Sequence, residues 1–115
     1  MVLNIILISK IIEHKGVESM KKEEILNYLS THQDRFKKLY NLNRIGIFGS
    51  YARDEATPNS DIDIVVDLKK STMFGLIAIK NDIEDYFKTH VDIVQIRDKM
   101  NNLLKERIEK EAIYV

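Results

Sequence analysis

Between Arg44 and Val66 the chain reads RIGIFGSYARDEATPNSDIDIVV, and no other stretch restricts its fold as much. An apolar run from Arg44 to Phe48 stops at Gly49-Ser50, and a second begins at Asp61-Ile62-Asp63-Ile64-Val65-Val66 after a Pro58-Asn59-Ser60 turn. The residue types predict strand, glycine turn, short helix, polar turn, strand, with the turn setting the second strand beside the first. Period-2 alternation puts Asp61 and Asp63 on one face of that second strand and Ile62 and Ile64 on the other. Gly49 and Ser50 open a helical turn, where backbone amides and a hydroxyl favour a phosphate.

Two carboxylates on one face repel each other unless a cation lies between them. Oxygen-only ligands suit magnesium, which keeps waters and bridges to substrate phosphates. An anion cradle beside a cation site implies a nucleoside triphosphate. Either half alone is a weak signal, since a Gly-Ser pair is usually a turn and an Asp-x-Asp usually a solvated strand end. Their occurrence together, with ten residues between Ser50 and Asp61, is far more specific.

Gly49-Ser50-Tyr51-Ala52-Arg53 followed by Ser60-Asp61-Ile62-Asp63 resembles the signature of the polymerase-β-type nucleotidyltransferase superfamily. More narrowly it is similar to the minimal nucleotidyltransferases (MNT), single-domain members that are often the MntA-type antitoxin of a pair with a HEPN-domain ribonuclease toxin. The resemblance runs from about Met20 to Val115 and includes the ending IEKEAIYV. It implies an α/β (α+β) nucleotidyltransferase fold, a small mixed β-sheet flanked by helices. It further implies that Asp61, Asp63 and Asp92 are catalytic and hold two Mg2+ ions, and that Gly49, Ser50 and Arg53 bind the nucleotide. The implied donor is ATP, and the implied acceptor is a tyrosine of the HEPN toxin, in a hetero-oligomer with it. One departure is visible: the family commonly has glycine after the arginine, and Asp54 stands there, adding a negative charge near the triphosphate.

Elsewhere, Ile25, Leu29, Phe36 and Leu39 recur at helical spacing and predict an amphipathic helix over residues 22–40, with His32 near its apolar stripe as a satisfied, partly buried side chain. Tyr51 and Ala52 are expected to turn inward, leaving Arg53 free to reach a phosphate or to pair on the surface with Asp54 or Glu55. A second helix after Thr72 is expected to bury Phe74, Ile77 and Phe87 together with Leu76, Ile79 and Ile83. Residues 90–96 read as a strand with Val91, Ile93 and Gln95 on one face and Asp92, Val94 and Ile96 on the other. An ionised carboxylate such as Asp92 on an apolar face requires a cation or a donor. A third helix over 100–110 is expected to turn Leu103, Leu104 and Ile108 inward, and residues 112–115 to close as a short strand.

At 115 residues the chain has room for one domain and none for a separate acceptor-binding domain. This disfavours an aminoglycoside-type enzyme acting on a small molecule, which generally carries one. A protein that neutralises its partner by contact alone is the rival from a different class. Residues 20–115 are read as the domain and 1–19 as an extension, with Met20 a second plausible start. The net charge of +0 argues against direct nucleic-acid binding. With no cysteine, neither disulfides nor a Cys-based zinc site can form. No export signal or membrane anchor is read at the N-terminus, and the cytoplasm is the expected compartment. An EF-hand is excluded by Val66 at the sixth loop position. A Ser50 nucleophile is excluded by the missing Gly-x-Ser-x-Gly elbow.

Overall fold

Helix α1 (Lys22–Tyr40) forms where the spacing predicts it, with Ile25, Tyr28, Leu29 and Phe36 buried on one side. Glu23 and Glu24 lie in its first turn and Lys37 and Lys38 in its last, the charge order that the helix dipole favours. It ends at Asn41, whose left-handed backbone (φ 59°) sends its N–H back to the Phe36 carbonyl. His32 is the satisfied side chain expected of it: its Nδ1 lies 2.8 Å from the Tyr28 carbonyl, and its ring stacks on that of Tyr28 at 3.9 Å.

A computed structural model describes residues 21–115, so the expected extension over residues 1–19 lies outside the described residues. After α1 come β1 (Leu42–Phe48), a four-residue helix α2 (Gly49–Ala52), β2 (Ile62–Leu68), α3 (Met73–Phe87), β3 (Val91–Gln95), α4 (Asn102–Glu111) and β4 (Ile113–Tyr114). The strands make one sheet in the order β3-β2-β1-β4. Strand β1 runs antiparallel to both β2 and β4, whereas β2 and β3 are parallel. The sheet is therefore mixed and flanked by helices. Among the described residues no helix is long and apolar enough to cross a membrane.

Alternation divides the sheet's side chains between two unequal cores. Ile45 and Ile47 of β1, Ile62, Ile64 and Val66 of β2, and Val91 and Ile93 of β3 pack against Ile25, Leu29 and Phe36 of α1 and Ile79 and Ile83 of α3. On the opposite face Phe48, Val65 and Val94 meet Leu104 and Ile108 of α4. Asp63 and Asp92 belong by parity to this second, smaller face. Helix α4 covers Val65 and Val94 and leaves those carboxylates reachable.

Two expected core faces are displaced. The buried side of α3 is Gly75, Ile79 and Ile83, a four-residue step, while Phe74 and Ile77 are exposed. Gly75 lies at the start of that face, where its N–H donates to Thr72 Oγ1 at 3.1 Å and a Cβ would meet the same Oγ1 at 3.0 Å, tighter than ordinary contact. Leu103 of α4 is likewise exposed, with Ile108 buried and Leu104 packed against the core. Leu39, on the expected stripe of α1, also faces solvent.

Phe36 has no exposed surface and is among the largest of the fully buried side chains. Phe36→Ala is expected to cost about 3–5 kcal/mol through lost burial and the cavity left behind. A urea melt with unchanged slope and a lowered midpoint would register it.

Candidate active site

Backbone register builds the site. In the antiparallel pair Phe48 faces Asp63, and in the parallel pair Asp63 faces Asp92. The end of β1, where the chain turns at Gly49, therefore lies beside the starts of β2 and β3. Asp61 lies immediately before β2. Three carboxylates and the glycine turn meet at one end of the sheet.

Gly49 has φ +70°, a left-handed conformation that side-chain-bearing residues avoid, and a Cβ there would overlap the Asp63 carboxylate. The glycine thus permits both the turn and the close approach of Asp63. Asp63 is half-buried, and its pKa is raised above the carboxylate norm, first by desolvation and then by Asp92, with Asp61 adding to the effect and Arg107 and Arg53 opposing it.

Asp61 and Asp92 are exposed, and with His90 they offer ligand atoms within 4.8 Å of one another. The carboxylate of Asp63 is turned toward Gly49 and is not a member of that group. The His90 ring bridges two acids, with Nε2 3.1 Å from Asp92 Oδ1 and Nδ1 3.1 Å from Glu84 Oε2. Glu84 in turn accepts the Val91 N–H at 2.9 Å, the largest cause of its lowered pKa. Such a chain fixes the orientation of a ligating carboxylate. Two exposed carboxylates within reach of each other suit a hard divalent cation such as magnesium, with Asp61 and Asp92 the open oxygen ligands and Asp63 behind them.

Ser50 lies half-buried in α2, next to Gly49, and Tyr51 and Ala52 pack inward as expected. Arg53 is engaged rather than free, in part through the surface pair with Glu55 that the sequence also allows. Its Nη1 lies 3.0 Å from both Glu111 carboxylate oxygens, and its Nε donates to Glu55 at 3.2 Å. Glu111, the last residue of α4, also accepts the Gly49 N–H at 3.1 Å and the Arg107 Nε–H at 3.4 Å. The Arg107 guanidinium sits 5.7 Å above the Phe48 ring.

His90, Arg107 and Glu111 were not legible as site residues. The only sequence signals for them are that His90 stands two residues before Asp92, and hence on its side of a strand, and that Arg107 and Glu111 have i,i+4 spacing. Asp54 has φ 59°, a left-handed backbone that favours glycine and that aspartate tolerates better than most other residues. Its carboxylate pairs with Lys22 at 2.9 Å, so the extra charge is compensated from α1.

Comparison with known proteins accords with this geometry. Residues 29–115 match the model of the nucleotidyltransferase domain family. The chain is 37% identical, over 80% of its length and 95% of the relative, to a Methanocaldococcus jannaschii protein provisionally named a protein adenylyltransferase. It is 30% identical to the protein adenylyltransferase MntA of Thermococcus cleftensis, over 81% of this chain and 94% of that one. Among solved structures, one provisionally described as a minimal nucleotidyltransferase superposes with TM-score 0.68 at 28% identity, covering 82% of this chain and 95% of that one. The fold is shared with the complex of a tri-AMPylated Shewanella oneidensis HEPN toxin and its MNT antitoxin, at TM-score 0.59, 18% identity, and 81% and 70% coverage. The chain belongs to the nucleotidyltransferase domain family and is one of its minimal, MntA-type members.

Proposed function

We propose that this protein transfers AMP from ATP to a tyrosine hydroxyl of a partner HEPN ribonuclease and so neutralises that toxin. The observation that carries the reading is the register that sets Asp63 between the Gly49 turn and Asp92. It joins an acidic cluster to an anion-binding corner within one strand's width. The relatives support the acceptor class, because the S. oneidensis antitoxin is seen with an AMPylated HEPN toxin.

In this reading the tyrosine oxygen attacks the α-phosphorus, the α–β phosphoanhydride bond breaks, and pyrophosphate leaves. Asp92, oriented by His90, takes the tyrosine proton. Gly49 and Ser50 hold the outgoing phosphates through amides and a hydroxyl, and Arg53 and Arg107 supply positive charge around them. Asp61, Asp63 and Asp92 are the residues that would hold Mg2+, which when bound neutralises phosphate charge and favours in-line displacement. The protein contributes alignment and charge rather than a covalent group.

The contact-only antitoxin has one observation on its side, the Glu111 carboxylate lying on two of the proposed phosphate donors. Incubation with α-labelled ATP, Mg2+ and the product of the adjacent gene separates the two. Label on the partner, lost with Asp61→Ala plus Asp63→Ala, is the expected result. Neutralisation that survives the double substitution with no label would select the contact-only protein.

A further inference from the structure

We propose that Glu111 is a built-in occupant of the polyphosphate seat, holding the Gly49 amide and Arg53 in the free protein and yielding them, with Arg107, to an incoming triphosphate. The inference rests on the reading of the Gly49–Arg53 corner as the phosphate site.

The contacts are those that a phosphate would make. One Glu111 oxygen accepts the Gly49 N–H at 3.1 Å, both oxygens lie 3.0 Å from Arg53 Nη1, and Arg107 Nε donates at 3.4 Å. A second anion cannot take the Gly49 amide while Glu111 holds it, because one N–H serves one strong acceptor and a second negative group there would meet the first at van der Waals distance. If the corner binds phosphate, Glu111 must leave it.

Its placement is otherwise unfavourable. Glu111 ends α4, where the helix dipole disfavours negative charge, and its side chain is only 20% exposed. Burial pushes its pKa up, yet the Gly49 N–H bond and the two arginines outweigh burial and hold it below the usual range, so it stays ionised. The side chain can swing through its own rotamers without moving the backbone of α4.

An anionic occupant of this kind discriminates by charge. A triphosphate tail brings enough negative oxygen to displace it, whereas a nucleoside lacking the tail never contests the seat. Glu111 therefore weakens binding of polyphosphates selectively and leaves the nucleoside portion of the site unaffected.

Titration calorimetry on the full chain in MgCl2, with inorganic tripolyphosphate, a non-hydrolysable ATP analogue and adenosine, tests this. Glu111→Gln is expected to tighten tripolyphosphate and the ATP analogue on the order of tenfold, the scale of one charge-assisted contact, with adenosine unchanged. Unchanged or weaker analogue binding by a folded Glu111→Gln protein would overturn the proposal while leaving the phosphate site intact, since Glu111 would then only orient Arg53. Failure of both the parent and the variant to bind tripolyphosphate would sink the phosphate site and the proposal together. Should Glu111→Gln not fold, Glu111→Asp, too short to span Gly49 and Arg53, is expected to tighten tripolyphosphate in the same direction, and weaker binding would again overturn the idea.

Discussion

Asp63→Asn is expected to give a protein that transfers AMP far more slowly than its parent and is more stable. The two effects share one cause. Asp63 is half-buried beside Asp92 and Asp61, and desolvation and those like charges raise its carboxyl above the ordinary aspartate value of 3.8. At a pH above the native pKa both folded and unfolded chains carry the ionised group, and the folded chain bears the full cost of desolvation and repulsion. As pH falls through the native pKa the folded chain binds the proton first and the cost shrinks, disappearing below 3.8. The variant lacks the charge at every pH. Its advantage near neutrality should therefore close in acid. Transfer should fall on the order of 10³-fold, the scale seen when one preorganised electrostatic group is lost. Mg2+ with ATP should raise the melting temperature of the parent more than that of the variant. Urea melts at several pH values and the labelled-ATP assay measure both halves.

Gly49→Ala should damage stability and activity together. The left-handed backbone at φ +70° costs an alanine about 1–2 kcal/mol, and its Cβ would also collide with the Asp63 carboxylate. Either the turn opens, losing the amide that faces Glu111, or Asp63 is driven out of register with Asp92. Stability should drop by about 2 kcal/mol, and transfer should approach that of the aspartate variants. Ser50→Ala leaves the backbone intact and removes one hydroxyl, for which about a tenfold loss is expected. Full activity in Gly49→Ala would show that the close approach of Gly49 and Asp63 has no part in the chemistry.

What could be read in advance follows from how local each signal is. The strand-turn-helix-turn-strand of residues 44–66 declares itself because alternation, a glycine stop and a proline turn lie within one short window. The placement of Asp92 opposite Asp63 is a matter of strand order. Nothing in the residues of either strand requires β3 to lie beside β2 rather than on the other side of β1; only the family resemblance pointed to Asp92. The buried side of α3 differs from the expected one because Phe74 and Ile77 outweigh Gly75 in an apolar count, whereas the face that meets the sheet and α1 carries Gly75, Ile79 and Ile83. The pairing of Arg53 with Glu111 was not legible because Glu111 stands 58 residues away along the chain. His90 and Arg107 have their partners close by in sequence, Asp92 two residues on and Glu111 four, and they escaped notice because only the fold brings those partners to the site. The sequence thus displays the strand carrying two of the carboxylates but not the groups that hold the site in order.

The central claim is that Asp61, Asp63 and Asp92 surround a divalent cation facing the Gly49-Ser50 corner. Paramagnetic line broadening tests it most directly, with Mn2+ replacing Mg2+ at substoichiometric levels on the 15N-labelled chain in the presence of a non-hydrolysable ATP analogue. The account predicts that amide signals of Asp61 to Asp63, His90 to Asp92, and Gly49 and Ser50 fade first and together. Sharp signals from these residues, with broadening concentrated around other acids such as Asp34, Asp82 or Asp98, would contradict it.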